Sequence, residues 1–243
     1  MRVCRWWWLC LLLGLPVVQA EQDVPAEIRL VSEVWEGHTD ADGTGLAWDI
    51  LRQVFEPAGV KLLIQSMPYT RSIGLVKRGE ADAWVGSYRN EVSGGVFYPH
   101  WHYDDDQITA LGLASGPVPT MDRLGDFRLV WVRGYNYQLY LPNLIHYREI
   151  ERRSGILSML SLGHADFYLD ASTEVDLLLE NVTDKSAYRV TDLVRLPLFL
   201  GFTDNPRGHA LAALYDRRMQ LLVKNGSLRP LFARWQQPYP FDK

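Results

Sequence analysis

The segment "DDQITALGLASGPVPT", residues 105–120, reads as an extended apolar run that ends in a Gly/Pro-rich turn. A second run of similar character, "YRVTDLVRLPLFLGFTDNP", occupies residues 188–206. Both separate blocks in which short strand-like segments alternate with helical ones, so the chain passes twice between two bodies. The first block holds the strand-like "EIRLVSEV" (27–34), "VKLLIQS" (60–66) and "ADAWVGSY" (81–88). Between them, "GLAWDILRQVFEPAG" (45–59) sets Leu46, Ile50, Leu51, Val54 and Phe55 at helical spacing, and Pro57 and Gly59 end it. "YTRSIGLVKRGEA" (69–81) is the second helical run. The second block repeats the pattern with "RLVWVRG" (128–134), "HYREIER" (146–152), "SGILSMLSLGHA" (154–165), "ADFYLD" (165–170) and "STEVDLLLENV" (172–182). Two helices close the chain over 207–226 and 227–235, the first ended by Asn225 and Gly226. Strand and helix in alternation predict an α/β fold with parallel strands. Two crossings predict two lobes: lobe 1 over 24–111 and 198–237, and lobe 2 over 112–197. A cleft between such lobes collects strand ends and helix N-termini from both sides, which is where α/β proteins bind small molecules.

Composition narrows the function. With 47% hydrophobic and 22% charged residues in 243, the chain is an ordinary globular one. Residues 1–20, "MRVCRWWWLCLLLGLPVVQA", carry Arg2 and Arg5, an uncharged run and a small residue at the end, the layout of a secretory signal peptide. Its apolar run is short of the roughly 20 residues that span a bilayer. Cleavage after Ala20 removes Cys4 and Cys10, and with them any disulfide, thiolate metal site or Cys nucleophile. It also lowers Lys+Arg from 25 to 23 against 29 acids, moving the net charge from −4 to −6. No basic face recommends nucleic acid as a partner. The expectation is an exported, periplasmic monomer without a cofactor.

Four motifs in order make the chain resemble the bacterial extracellular solute-binding proteins of the polar amino acid type (family 3). They are "GLAWD" with Gly45 and Asp49, "KRGEADAWVGSY" (77–88), "GHADFYLD" (163–170) and "LLVKNGSLRPLFARW" (221–235), and the likeness runs from Glu27 to Trp235. It implies a type II periplasmic binding protein-like fold, two α/β lobes joined by two hinge strands. It also implies a non-enzymatic role: capture of an amino acid or an amino-acid-like solute for an ABC permease or a membrane sensor. On the same resemblance Asp170 falls at the ammonium-binding Asp, Tyr135 beside the Gly of a second-lobe helix start, and Trp35 at an aromatic position after the first strand. The family's carboxylate-binding Arg aligns near Val92 or Ser93 in "GSYRNEVSGG", so Arg89 is offset and the ligand's class stays open.

Arg89 is the first candidate for an anion-binding side chain and Arg71 the second, because a guanidinium fork matches a carboxylate. Trp35, Tyr69 and Tyr88 sit where a ring can stack on a ligand, whereas Trp84, in mid-strand, reads as core. In "YPHWHYDDDQ" (98–107), His102 contributes a ring or hydrogen bond at the cleft lip, and Asp104 to Asp106 read as a solvated turn. Two alternatives stay open. One is a lyase or dehydratase on the same scaffold using Glu33 or Asp170 as its acid. The other is a metal site on His100, His102 and Asp104, which share a face if extended.

Overall fold

The computed structural model describes residues 24–242. The expected signal peptide, with both cysteines, lies outside them. In chain order the elements are β1 (Glu27–Ser32), α1 (Leu46–Phe55), β2 (Lys61–Ser66), α2 (Tyr69–Lys77), β3 (Ala83–Tyr88) and β4 (Val96–Phe97). Then come β5 (Asp104–Leu113), β6 (Leu129–Val132), β7 (Tyr147–Ile150), α3 (Ile156–Ser161), β8 (Phe167–Ala171) and α4 (Ser172–Glu180). The chain ends with β9 (Tyr188–Thr203), α5 (Pro206–Lys224) and α6 (Arg229–Arg234).

The strands form one sheet in the order β2-β1-β3-β9-β5-β8-β6-β7, with β4 on β9. Its two ends are parallel: β1 runs with β2 and β3, and β6 runs with β7 and β8. The middle is antiparallel, β5 pairing β9 from Asp104↔Leu198 to Leu113↔Tyr188. The two crossing runs are therefore β5 and β9, two long strands side by side that join the β1–β3 half to the β6–β8 half. Each parallel end needs crossover helices on its faces, and the helical spacing supplies them. In α1, the residues Leu46, Ala47, Trp48, Ile50, Leu51, Val54 and Phe55 are buried, and full burial of each large apolar side chain contributes roughly 1.5–3 kcal/mol. Gly59 then stops the helix in a left-handed conformation at φ 77°. Asn205 caps α5 by accepting from the Gly208 N–H, with Pro206 at the first helical position.

One core runs through the β1–β3 half and into the aromatic residues of β6 and the loop after it. A smaller one, built on Leu111, Val130, Ile156, Leu160, Tyr168 and Val175, holds α3 and α4 to the other half. Trp84 is fully buried, as expected of a core residue, and a Cβ on Gly201 of the neighbouring strand would stand 2.0 Å from its ring. The outer strand β7 is exposed and carries Arg148 and Glu149, charges that discourage edge-to-edge pairing. Among the described residues no helix is long and apolar enough to cross a membrane.

One expectation fails in the sheet itself. Asp104, Asp105 and Asp106 are not a solvated turn but the first three residues of β5, in register with Leu198, Pro197 and Leu196. Asp104 is only 7% exposed. Three acids in a row look like a loop locally, but the ladder to β9 satisfies their backbone and draws them into the sheet.

Candidate functional site

Between the two halves lies a cavity of about 340 Å³, within the range of small-molecule sites. One wall is a file of rings. Trp35, in the loop after β1, meets Tyr69 at the start of α2 at 5.8 Å, and Tyr69 meets Tyr135, in the loop after β6, edge-on at 5.7 Å. Tyr135 in turn meets Tyr137 at 5.9 Å, and Tyr137 meets Tyr88, at the end of β3, at 6.1 Å. The file crosses from one half to the other, and hydrogen bonds lock it: the Trp35 Nε1–H donates to Tyr135 Oη at 3.1 Å. Gly86 makes room for this wall. At φ +87° it adopts a conformation glycine alone takes readily, and a Cβ there would stand 2.6 Å from the Trp35 ring.

The remaining walls are acidic. Seven carboxyl groups line the cavity: Glu36, Asp104, Asp105, Asp106, Asp170, Glu174 and Asp192. Burial pushes the Asp106 carboxyl up to about 7, against the opposing effect of a 2.8 Å hydrogen bond from Tyr88 Oη, and Asp170 reinforces the rise. Burial likewise raises Glu174 to about 7, offset by Arg153 and reinforced by Asp170. Asp104 is driven well above the usual carboxylate range by burial, with Asp106 and Asp105 adding to it. His38 moves the other way, to about 4, because burial disfavours the imidazolium, so it is neutral at pH 7.

Arg153 ties this wall together. Its Nε lies 2.8 Å from Asp170 and 3.2 Å from Glu174, and its Nη2 donates to Tyr135 Oη at 2.7 Å. Asp170, with a side chain 1% exposed, also accepts from Tyr168 Oη and the Ala171 N–H. Burial opposes the charge on Arg153, but Asp170 and its neighbours outweigh that and hold its pKa above the ordinary guanidinium value. The C-terminal residues close another side: Trp235, Gln237, Pro238 and Pro240 line the cavity. Beyond them Tyr239 packs on Phe232, Phe241 on His102, and Trp235 Nε1 donates to Asp49 at 2.8 Å.

Of the residues singled out in the sequence, Trp35, Tyr69, Tyr88, Tyr135 and Asp170 line the cavity, whereas Arg71, Arg89 and His102 do not. Arg89 turns away: its Nη2 donates to the Pro99 and His100 carbonyls, and its guanidinium stacks 4.3 Å from the Phe199 ring centroid. Arg71 is exposed on α2. The His102 ring rests on Phe241 and faces Asp105 at 3.6 Å. Nor do His100, His102 and Asp104 assemble a chelate. His100 packs against Trp101, Asp104 faces His38 at 3.8 Å, and among the described residues no three His, Cys, Asp or Glu side chains are placed to hold one metal ion. Sequence reasoning passed over Arg153, Asp106, Tyr137, Glu174 and the C-terminal segment. For Asp106 a signal existed: read as an extension of the following strand, Asp104 and Asp106 fall on one face. Nothing in "ERRSG" distinguishes Arg153 from Arg152.

No protein-family model matches the sequence, and no curated protein sequence does. Solved structures do. The substrate-binding protein of an amino acid ABC transporter superposes with a TM-score of 0.66 at 18% identity, over 86% of this chain and 98% of that one. A Streptococcus pneumoniae ABC uptake transporter substrate-binding protein, solved with bound histidine, gives 0.67 at 16% identity, over 86% and 92%. A histidine kinase sensor domain with similarity to periplasmic binding proteins gives 0.70 at 13% identity, over 86% and 95%. The fold class is thereby that of the type II periplasmic binding proteins, two α/β lobes joined by two strands.

Proposed function

We propose that this chain is an exported solute-binding protein that captures a small polar ligand in the cleft between its lobes and performs no chemistry on it. The observation that carries the reading is the cavity itself. It is walled by rings from both halves, closed by the Trp35 to Tyr135 hydrogen bond, and spanned by β5 and β9 as the only long strands linking the halves among the described residues. We take lobe 1 as 24–111 with 198–237 and lobe 2 as 112–197, and opening as a bend in the two crossing strands. The structures of similar fold include an ABC transporter component and a kinase sensor domain, so delivery to a permease and presentation to a membrane sensor are the two fates to distinguish. An N-terminal signal sequence would place the mature protein in the periplasm.

Calorimetry on the mature chain against a panel of amino acids and amines tests the proposal. Saturable heat without product formation is expected, with a melting temperature that rises as ligand is added; a ligand at 100 times its Kd stabilises by about 2.7 kcal/mol. Asp170→Ala is expected to abolish that binding while the far-UV spectrum stays native. Turnover of a bound solute would instead establish an enzyme.

A further inference from the structure

We propose that the ligand of this cleft is an organic cation that carries no carboxylate, an amine or guanidine on a short apolar body. This rests on the solute-binding reading and names the chemical class of the solute.

The charge inventory comes first. Seven carboxyl groups line the cavity, against Arg195 and the imidazole of His38. Arg195 is exposed and its Nε is engaged with Gln107 Oε1 at 3.2 Å. It is the one guanidinium among the described lining residues. Arg89 is turned onto backbone carbonyls, Arg71 lies outside the lining, and Arg153 turns its Nε and Nη2 to Asp170, Glu174 and Tyr135. An α-carboxylate entering here would face a surplus of acids with one exposed guanidinium among the described lining residues to offset them, which disfavours it relative to a cation.

The rings point to the same class. Trp and Tyr faces attract ammonium and guanidinium groups, and six such rings border the space. The protein already holds one cation in this manner, since the Arg153 guanidinium stands 5.8 Å from the Tyr135 ring centroid while pairing Asp170. Tyr137 adds an independent mark. Its side chain is fully buried against the cavity, and Tyr137 Oη meets the Tyr88 hydroxyl, which itself donates to Asp106 at 2.8 Å. A phenol oxygen engaged with one hydroxyl keeps acceptor capacity, and an ammonium donor in the cavity would use it. The raised carboxyls Asp106 and Glu174 fit as well, because a bound cation would favour their ionised forms.

Matched pairs that differ only by the carboxylate give the test: arginine against agmatine, lysine against 1,5-diaminopentane, and ornithine against 1,4-diaminobutane, each titrated calorimetrically into the mature chain, with glutamine and glutamate alongside. The decarboxylated member of at least one pair is expected to bind 10-fold tighter or better. Equal or weaker binding of the decarboxylated member in every pair overturns the cation proposal, and tight binding of an amino acid in that result leaves the solute-binding reading standing. Silence with every probe overturns both. Two variants guard against misfolding as an explanation. Tyr137→Phe removes only the hydroxyl and keeps the ring, so its melting temperature is expected to change by a few degrees at most while affinity for the amine falls several-fold. Glu174→Gln is expected to lower amine affinity about 10-fold; unchanged affinity in both variants would overturn the assignment.

Discussion

Arg153 offers the sharpest quantitative check on the cleft. Arg153→Met keeps most of the aliphatic stem and deletes the guanidinium, leaving Asp170 with only Tyr168 Oη and the Ala171 N–H as partners. The Asp170 side chain is 1% exposed and that of Arg153 23%, so the pair sits on the buried side of the range, where removing one partner costs about 3–5 kcal/mol. Glu174 loses its neighbour too, but with a pKa already near 7 it can take up a proton at little further cost. A loss of about 3–4 kcal/mol corresponds to a fall in melting temperature of roughly 6–16 °C for a chain of this size. Asp170→Asn alone is expected to cost about 2–3 kcal/mol, and the double variant well under the sum, with a coupling of at least about 1.5 kcal/mol. Urea unfolding at pH 7, followed by circular dichroism on the four proteins, measures all three quantities. Additivity within about 0.5 kcal/mol, or an Arg153→Met variant as stable as the parent, would refute the account of Arg153 as the counter-ion that makes a buried Asp170 tolerable.

Two further outcomes follow from the same geometry. Glu91, Asp106 and Glu174 have folded-state pKa values raised to about 7 by burial. Such groups contribute stability that is complete below their unfolded values and lost as pH rises through 7; the unliganded protein should therefore melt at higher temperature at pH 5 than at pH 8, and Asp106→Asn should flatten that slope. Gly86→Ala forces a side chain into a left-handed conformation and 2.6 Å from the Trp35 ring; a stability loss of about 1–3 kcal/mol and ligand affinity down by 10-fold or more are expected, read by calorimetry and by the fluorescence of the displaced indole.

The architecture was largely legible because it rests on local signals. Apolar spacing places α1 and the terminal helices, Gly59 and Gly226 end helices as glycine does, and the two long apolar runs contain β5 and β9. The aromatic wall was half legible: a ring at a strand end or helix start, as for Trp35, Tyr69 and Tyr88, has few places to go but the cleft. The charges were not. Arg89 finds carbonyls ten and eleven residues further on, a partner chosen by the path of a loop rather than by its own strand. Arg153 is set by Asp170, seventeen residues later on another element. The three aspartates at the head of β5 have the composition of a turn, and only the distant residues of β9 make them a strand. In each case the deciding partner is remote in sequence, where local propensity carries no information.

The place of β9 in the sheet has a consequence for how the chain must be made. This strand lies between β3 and β5 and hydrogen-bonds to both, yet it begins at residue 188. While a nascent chain ends short of that point, β3 and β5 each present an open edge, and the halves they belong to have no ladder joining them. Open edges of apolar strands recruit other chains. A product truncated before residue 188 should accordingly aggregate rather than survive as a folded fragment, because the seam between the halves closes only when the last quarter of the chain arrives.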